Sequence, residues 1–240
     1  MNRLKLVFLL SLFMLLVMPI FGVTTGELKI IKTVIKEGDV VFDVGANVGN
    51  WSKNVLAVCP KVKIYAFEPI PSIYSLLMKK FNNYKFFAYN IAFSSCAGNK
   101  EFYFYPKDSA KSGFYDREIL RNVCSLVPRK IVVKVDTLST FCERNNIIKI
   151  DFLKIDTEGE ELHVLLGAKD LLEKNNISII QFEYGGCYKD SGTTLREVYD
   201  LLSSFGYSLF KRTKKGLIKV EKWRDELEDF GYSNYLAMVE

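Results

Sequence analysis

Beyond Gly26, short apolar runs alternate with amphipathic stretches along the chain. The apolar runs are rich in Val, Ile, Phe and Tyr, which is typical of strands that are buried on both faces. The predicted core strands are Val40–Val44, Lys63–Phe67, Tyr84–Asn90, Phe152–Ile155 and Ile177–Phe182. The predicted helices between and after them are Glu27–Lys36, Asn50–Val58, Pro71–Phe81, Glu160–Lys174 and Thr193–Phe205. This alternation predicts an α/β fold, with a mostly parallel sheet and helices on both faces.

The region from Ser94 to Lys130 is less regular. It contains an alternating, exposed strand at Lys100–Tyr105, and a further strand follows at Ile131–Val135. Two final strands are predicted at Tyr207–Arg212 and Tyr235–Val239, and we expect an antiparallel strand at this C-terminal end. In open α/β sheets, ligands bind beyond the carboxyl ends of the strands, so the loops that follow the core strands are where a site is expected.

The composition fits one packed domain, which we place at residues 27–240. Hydrophobic residues make up 49% of the 240 residues, and the net charge is only +5. Because the basic residues form no concentrated stripe, nucleic acid is not an expected partner. The five cysteines include no C-x-x-C pair, so neither a disulfide framework nor a metal site is predicted. The oligomeric state is not encoded in any pattern we recognise.

The first 26 residues are set apart from this domain. Arg3 and Lys5 precede an apolar run from Leu6 to Val23. This pattern is typical of a secretory signal, and the run is just long enough to cross a bilayer. We expect a retained anchor at residues 6–23, with the domain associated with the membrane on its cytoplasmic side. A cleaved signal with a secreted domain, or a misassigned start before a soluble cytoplasmic domain, are the alternatives.

The loop after the first core strand reads Asp43-Val44-Gly45-Ala46-Asn47-Val48-Gly49. Its glycines permit a tight turn and a close approach of a ligand to the backbone. A dinucleotide site of the G-x-G-x-x-G type requires glycine at position 47 and glycine or alanine at position 50, where this chain has Asn47 and Asn50. A ligand without phosphates therefore fits better, and S-adenosylmethionine is such a ligand.

Acidic and amide side chains follow the next strands. Glu68 ends the second strand, where it could accept hydrogen bonds from both ribose hydroxyls; the alternative is a solvated strand-end carboxylate. Asn90 ends the third strand and is either an adenine or ribose contact or a plain turn residue. Asp156 and Glu158 follow the fourth strand, where they could hold an amino group, favour a sulfonium or orient a nucleophile.

The same stretch contains residues for which a structural role is the simpler expectation. Glu160 and Glu161 are expected to be acids that complement the dipole at a helix start. Lys154 lies on the same side of its strand as Asp156 and, if buried, needs a partner, for which Gln181 and Glu183 are candidates; the alternative is a lysine that positions substrate. His163, the only histidine, is expected to be exposed on a helix rather than to act as a base.

Six segments together resemble the FkbM methyltransferase family. They are VFDVGANVGNWS (41–52), AFEPIP (66–71), NIAFSSCAGNKEFY (90–103), VDTLSTFCERNNI (135–147), IDFLKIDTEGEELHVLLGA (150–168) and IIQFEY (179–184). The resemblance implies a Rossmann-like class I methyltransferase fold with S-adenosylmethionine as cofactor. It carries Glu68 and the Asp43–Gly49 loop over as cofactor residues, and Asp156 and Glu158 as site residues.

The function that the resemblance implies is S-adenosylmethionine-dependent O-methylation. We expect Asp156 or Glu158 to orient the acceptor hydroxyl or receive its proton, and Asp156 also to contact the cofactor. The acceptor is expected to be a glycan, a lipid-linked molecule or a small molecule. Residues 107–129, including Ser112 and Tyr115, are expected to shape its pocket. Two alternatives are a membrane-anchored binding module without catalysis and a nucleotide-cofactor oxidoreductase.

Overall fold

A computed structural model describes residues 26–81 and 85–239 of the chain. The strands in chain order are β1 Val40–Val44, β2 Lys63–Phe67, β3 Phe86–Tyr89, β4 Ala92–Phe93, β5 Gly98–Phe104, β6 Arg129–Asp136, β7 Phe152–Ile155, β8 Ile179–Tyr184, β9 Tyr207–Thr213, β10 Gly216–Lys219 and β11 Ser233–Val239. The helices are α1 Gly26–Val34, α2 Asn50–Val58, α3 Pro71–Lys80, α4 Glu118–Asn122, α5 Leu138–Arg144, α6 Glu161–Leu166, α7 Lys169–Glu173, α8 Cys187–Ser191 and α9 Leu195–Ser204.

The main sheet has eight strands in the order β10-β9-β11-β8-β7-β1-β2-β3. The five strands from β8 to β3 run parallel to one another, whereas β9, β10 and β11 pair antiparallel. The prediction of a mostly parallel α/β sheet with an antiparallel strand at its C-terminal end is therefore confirmed. The last strand, β11, lies between β8 and β9 and so separates the parallel part from the β9–β10 hairpin.

Helices cover both faces of this sheet. One face packs against α1, α2 and α3 in a cluster that includes Ile31, Val41 and Val55. The other face packs against α5, α6, α7 and α9, and Phe42 belongs to this second cluster. Adjacent residues of β1 thus enter different cores, which is why β1 reads as a continuous apolar run rather than as an alternation.

A second sheet of three strands, in the order β4-β6-β5, stands apart from the main sheet. The strands predicted at 100–105 and 131–135 belong to it, and β5 pairs antiparallel with β6 along its whole length. A backbone bridge between Tyr103 and Gly113 then turns the chain back. The segment 105–117 is thereby placed beside the carboxyl ends of the main strands.

The helix predicted at 160–174 is two short helices, α6 and α7. The break lies at Gly167, where only glycine fits, because a Cβ there would lie 2.2 Å from the backbone oxygen of Ser94. Gly167 also donates its N–H to His163 O, which closes the last turn of α6. Any larger residue on this backbone would collide with the chain at Ser94.

The prediction of a membrane-associated domain facing the cytoplasm is corrected by the structure. Within the residues described, every helix is too short or too polar to cross a bilayer. The apolar run at residues 6–23, on which the prediction was based, lies outside the described residues.

Candidate active site

A cleft of about 620 Å³, including its open mouth, lies at the carboxyl ends of β1, β2 and β7. Its apolar wall consists of Phe67, Ile70, Phe93, Phe102 and Phe114. Its acidic groups are Glu68, Asp156 and Glu158, and none of the described residues that line it is a lysine or arginine. The cleft is thus a mostly apolar site with a few convergent carboxylates, at the edge of the sheet where the fold predicts a ligand.

The loop after β1 is bent so that its backbone faces the cleft. Gly45 has φ +80°, and its N–H and that of Ala46 both donate to Phe67 O, at 3.1 and 3.0 Å. A Cβ on Gly45 would lie 1.8 Å from the backbone oxygen of Asp156. Asn47 also has positive φ, at +49°, although it is not glycine. Backbone strain of this kind persists where surrounding contacts hold it, and it concentrates at functional sites.

Glu68 supplies the contact that holds Asn47. Its Oε2 accepts the Asn47 N–H at 3.0 Å, and its Oε1 accepts the Ile70 N–H at 2.8 Å. Because an ionised carboxylate has about four acceptor positions, two remain available to a ligand in the cleft. Burial raises the pKa of Glu68 to about 7, and the two backbone hydrogen bonds only partly counter that rise.

Asp43 lies behind the loop rather than on the cleft surface. Its side chain is fully buried, and its Oδ2 accepts a hydrogen bond from Ser52 Oγ at 2.7 Å. Lys154 Nζ contacts Asp43 Oδ1 at 3.3 Å and Asp156 Oδ2 at 3.1 Å. Burial lowers the pKa of Lys154, but the two carboxylates outweigh burial and raise it above its ordinary value. Lys154 is therefore a buried cation that links β1 to the cleft carboxylate Asp156.

The partners of Lys154 in the structure differ from those expected from the sequence. A structural ion pair was expected with Gln181 or Glu183, but the carboxylates that Lys154 contacts are Asp43 and Asp156. Asp43 pairs directly with Lys154 in the register of β1 and β7. The relevant signal was in the sequence, since an aspartate and a lysine each interrupt an otherwise apolar strand.

Two other residues predicted to contact the cofactor, Asn90 and Gly49, are not among the residues that line the cleft. The side-chain amide of Asn90 donates to the backbone oxygens of Glu68 and Pro69, both at 2.9 Å. Gly49 begins α2 with φ +74°, and a Cβ there would lie 2.5 Å from the ring of Phe81. Both residues shape the loops around the cleft, and their direct contact with a ligand stays a prediction.

The side chain of Glu161 fixes the loop between β7 and α6 through hydrogen bonds. Its Oε1 accepts the N–H and the hydroxyl of Thr157 at 2.7 and 2.9 Å, and its Oε2 accepts the Gly159 N–H at 3.0 Å. Burial raises the pKa of Glu161 to about 7. These bonds enclose Glu158, which has φ +55°. Glu161 is thus fully buried and holds a loop, whereas the sequence suggested a simple helix-start acid.

Glu160 also has specific partners instead of a purely electrostatic role at a helix start. Ser94 Oγ donates to its Oε1 at 2.6 Å, and Tyr115 donates to its Oε2 at 2.5 Å. His163 Nδ1 lies 3.6 Å from the same Oε2, and the His163 side chain is only 31% exposed. The histidine therefore adjoins the Glu160 network and is not among the residues that line the cleft.

The segment 105–117 forms the other wall through ion pairs. Arg117 contacts Glu158 and lies 3.3 Å from Asp190, and Lys111 Nζ lies 3.4 Å from Glu158 Oε1. Glu158 and Arg117 are 7% and 11% exposed in their side chains. Ser109 exchanges hydrogen bonds with the Asn47 side chain at 3.0 and 3.2 Å. The segment was expected to shape the acceptor pocket, but the pairing of Arg117 and Lys111 with Glu158 was not predicted.

Glu183 completes the acidic cluster at the end of β8, next to the strand that carries Asp156. Burial, reinforced by the nearby charges of Asp156 and Glu158, raises the pKa of Glu183 to about 8. Tyr232, which is 72% exposed, donates a hydrogen bond to this carboxylate. Glu183 was considered in the sequence only as a partner for Lys154.

The site thus has two sides, which we name by their strands. The β2 side consists of residues 45–47 and Glu68. The β8 side consists of Glu158, the segment 105–117 and Glu183, which lies next to the cleft and is not among the residues that line it. Asp156 stands between them. Its side chain is 35% exposed. Carboxylates facing an apolar cleft favour a ligand with cationic groups and disfavour a pyrophosphate.

The model of the methyltransferase FkbM domain family matches residues 43–209 of the chain. A 31-O-demethyl-FK506 methyltransferase from Streptomyces tacrolimicus is 31% identical over 57% of the chain and 62% of its own length. A hexuronic acid methyltransferase from Haloferax volcanii is 24% identical over 72% of the chain and 69% of its own length.

Among solved structures, a methyltransferase FkbM from Methylobacillus flagellatus KT superposes with a TM-score of 0.53. The identity is 14%, and the match covers 85% of this chain and 44% of the other. At that identity the likeness concerns the fold, and it confirms the predicted Rossmann-like class I architecture. The chain spans less than two thirds of the length of the Streptomyces relative and of the solved protein.

Proposed function

The chain belongs to the methyltransferase FkbM domain family, and we propose that it transfers the methyl group of S-adenosylmethionine to a hydroxyl oxygen. The observation that carries this proposal is the charge of the cleft. Glu68, Asp156 and Glu158 line it, without a lysine or arginine among the described lining residues. A cationic nucleoside suits such a site, whereas the pyrophosphate of a dinucleotide would meet three carboxylates.

The residues present fit this cofactor. Glu68 retains two acceptor positions for the ribose hydroxyls after binding the N–H groups of Asn47 and Ile70. Phe67, Ile70 and the neighbouring aromatic side chains offer an apolar surface for adenine. Asp156, whose carboxylate also pairs with the buried Lys154, would hold the ammonium group of the amino acid portion. The cofactor, when bound, supplies an electrophilic methyl group on a positively charged sulfur.

The protein's own contribution to the reaction is orientation and charge. Glu68 and the bent 45–47 backbone would fix one end of the cleft, and well-oriented reactants can gain about 7–11 kcal/mol in a bimolecular step. Asp156 and Glu158 would stabilise positive charge near the reacting atoms and orient the hydroxyl. Lys154, held between Asp43 and Asp156, keeps Asp156 in a single position.

The acceptor is proposed as a hydroxyl of a small molecule or a glycan. The support comes from the relatives, because one is named for O-methyl chemistry on FK506 and another for hexuronic acid. In this chain, Ser112 and Phe114 of segment 105–117 line the cleft on its β8 side. A lipid-linked acceptor remains part of the same proposal, since only the hydroxyl enters the chemistry.

Parallel calorimetric titrations with S-adenosylmethionine and NAD test the proposal. We expect the full chain to bind S-adenosylmethionine and not NAD, and Glu173→Gln, on the exposed surface of α7, to bind it equally well. Transfer is then measured as tritiated methyl incorporated into a cell extract. Preference for NAD would favour an oxidoreductase, and failure to bind either molecule would refute the proposal. Cofactor binding with no transfer to any extract would favour a non-catalytic binding module.

A further inference from the structure

We propose that Glu183 is the group that receives the proton of the acceptor hydroxyl, an inference that rests on the proposed methyl transfer. The argument begins with position. Along the sheet, Glu68 follows β2, Gly45 follows β1, Asp156 follows β7, and Glu183 lies near the end of β8. Neighbouring strands are about 4.8 Å apart, so Glu183 stands roughly 14 Å along the sheet from Glu68. A nucleoside held at Glu68 would leave the β8 side for the acceptor.

The second step compares the carboxylates of the cluster by their partners. Asp156 is paired with Lys154, and Glu158 with Arg117 and Lys111. Glu161 accepts three hydrogen bonds from the loop above it. Glu160 accepts hydrogen bonds from Ser94 and Tyr115. Each of these four is already committed to a cation or to several donors.

Glu183 differs from them in its partner. Within the described part of the chain it makes no ion pair closer than 4 Å, and the hydroxyl of Tyr232 donates a hydrogen bond to it. A phenol is a weak donor compared with an ammonium or guanidinium. Glu183 is half-buried and its neighbour Tyr232 is exposed, so an incoming hydroxyl can reach this carboxylate. A carboxylate that lacks a fixed cation and is surrounded by like charges gains most from accepting a proton.

The charged and titratable groups around Glu183 come from four parts of the fold. They are Asp156, Glu158 and Glu161 of the loop after β7 and the start of α6, Lys111 of segment 105–117, Cys187 and Tyr188 of α8, and Tyr232 before β11. The acids raise the pKa of Glu183 beyond the rise that burial causes, to about 8, while Tyr232 lowers it. A base with a pKa near the working pH is the most effective proton acceptor.

The step balances without a further reactant. The acceptor oxygen forms a bond to the methyl carbon as the carbon–sulfur bond breaks, and the sulfur retains the electron pair of that bond. The hydroxyl proton passes to a carboxylate oxygen of Glu183 and from there to solvent. The products are a methyl ether, a neutral thioether and a proton, so no metal or oxidant enters the balance.

The first test needs no acceptor. Because its folded pKa is above the ordinary value, Glu183 binds its proton more tightly in the folded protein, and its ionisation lowers stability as pH rises from about 4.5 to 8. We therefore expect the Tm of Glu183→Gln minus that of the wild type to increase by several degrees as the pH is raised from 5 to 9. Glu173→Gln, an equal charge change on the exposed surface, should show no such trend. A constant difference in Tm would overturn the proposal.

The second test separates this role from cofactor binding. Calorimetry should give Glu183→Gln the wild-type affinity for S-adenosylmethionine within about threefold, and a large loss would place Glu183 in the cofactor site instead. If neither protein binds the cofactor, the proposed function fails and this inference fails with it. If the wild type and the variant bind the cofactor equally well, the result supports a role for Glu183 outside the cofactor site.

The third test uses tritiated methyl transfer to the extract component that the wild type labels. We expect Glu183→Gln to lower kcat at least 100-fold with KM little changed, and to lose the acid limb of the pH profile. Tyr232→Phe should move that limb to higher pH and keep the plateau, because it removes a donor that lowers the pKa of Glu183. Activity of Glu183→Gln within threefold of wild type would overturn the proposal, as would an unmoved limb in Tyr232→Phe.

Discussion

The two sides of the cleft are built in different ways. On the β2 side, Glu68 binds the backbone of residues 47 and 70, so the contacts are hydrogen bonds between a strand end and the loops beside it. On the β8 side, Glu158 binds Arg117 and Lys111, which are 41 and 47 residues away in the chain. Hydrogen bonds to the backbone fix the shape of the β2 side, so few substitutions are compatible with it. Ion pairs between side chains change when either residue is substituted, so the β8 side can be adapted to another ligand.

The comparison teaches which part of the site is general and which part is particular. The β2 side requires only a bent turn and one acid, and it is the side at which we propose that the cofactor binds. The β8 side depends on which cations the segment 105–117 contributes, so it is the place where the acceptor would be selected. Substitutions on the two sides should therefore change different measurable quantities.

The largest effect is expected from Glu68→Ala on the β2 side. Two charge-assisted hydrogen bonds to the ligand contribute about 1.5–3 kcal/mol each, so affinity for S-adenosylmethionine should fall by roughly 10²–10⁴-fold. Calorimetry measures this directly, with Glu173→Ala on exposed α7 as the control. Unchanged affinity in Glu68→Ala would remove the basis for the cofactor proposal.

The next effect is expected on the β8 side, in stability rather than in cofactor affinity. Arg117→Met leaves Glu158 buried without its guanidinium partner, which typically costs about 3–5 kcal/mol of unfolding free energy. The double variant Arg117→Met/Glu158→Gln should regain most of this loss, since it removes the unpaired Glu158 charge and leaves only the partly exposed Asp190 without its guanidinium partner. Urea unfolding of the three proteins gives the comparison. A double variant no more stable than the single one would contradict the pairing.

Gly45→Ala tests how closely the β2-side turn is packed. A methyl group there meets the Asp156 backbone oxygen, and φ is positive, so unfolding free energy should fall by about 3 kcal/mol. Gly38 is a matched control, because its φ is +88° and a Cβ would meet nothing within 4 Å. Gly38→Ala should cost only about 1–2 kcal/mol, the price of the backbone conformation alone. Equal losses in both variants would show that the contact with Asp156 is unimportant.

The pH dependence of cofactor affinity should follow Glu68. The ribose hydroxyls bind to the ionised carboxylate, and the pKa is about 7, so affinity should increase by roughly 30-fold from pH 5.5 to pH 8.5. Binding itself lowers that pKa, because the ligand favours the charged form. Calorimetry across this range checks the trend, and Glu68→Gln should show a flat profile. A profile in the variant that matches the wild type would assign the titration to another group.

The smallest effect is expected from Asn90→Ala. Its amide holds the backbone oxygens of Glu68 and Pro69, so unfolding free energy should fall by about 1 kcal/mol. Affinity for S-adenosylmethionine should change by less than about threefold if the residue only shapes the loop. A tenfold or greater loss would instead support the direct cofactor contact that the sequence suggested for Asn90.

The β2 side could be predicted from the sequence because each part of it is local. An apolar strand followed by glycines indicates a turn, and an acid at the end of the next strand is placed beside it by parallel pairing. The alternation of strands and helices also predicted the sheet and its two covered faces. The sequence did not predict that Asp43 faces Lys154 and not the cleft, because both orientations are compatible with a buried strand.

The β8 side could not be predicted in the same way. Arg117 and Lys111 lie in a region without a regular period, and their contact with Glu158 depends on how the three-stranded sheet turns the chain at Tyr103 and Gly113. Burial of Glu161 likewise follows from packing of the loop above it, whereas its position alone suggested an exposed helix start. Contacts between distant segments carry no signature in the spacing of one sequence.

The position of β11 has a consequence for how this protein can be synthesised. The strand at residues 233–239 lies between β8 and β9, which both precede it in the chain. While the ribosome is still making these residues, β8 has an open edge and the β9–β10 hairpin has no sheet to join. At about 5–20 residues per second, the growing chain must protect that edge for a second or more. Shortening the protein before residue 233 would make the exposed edge permanent and invite aggregation.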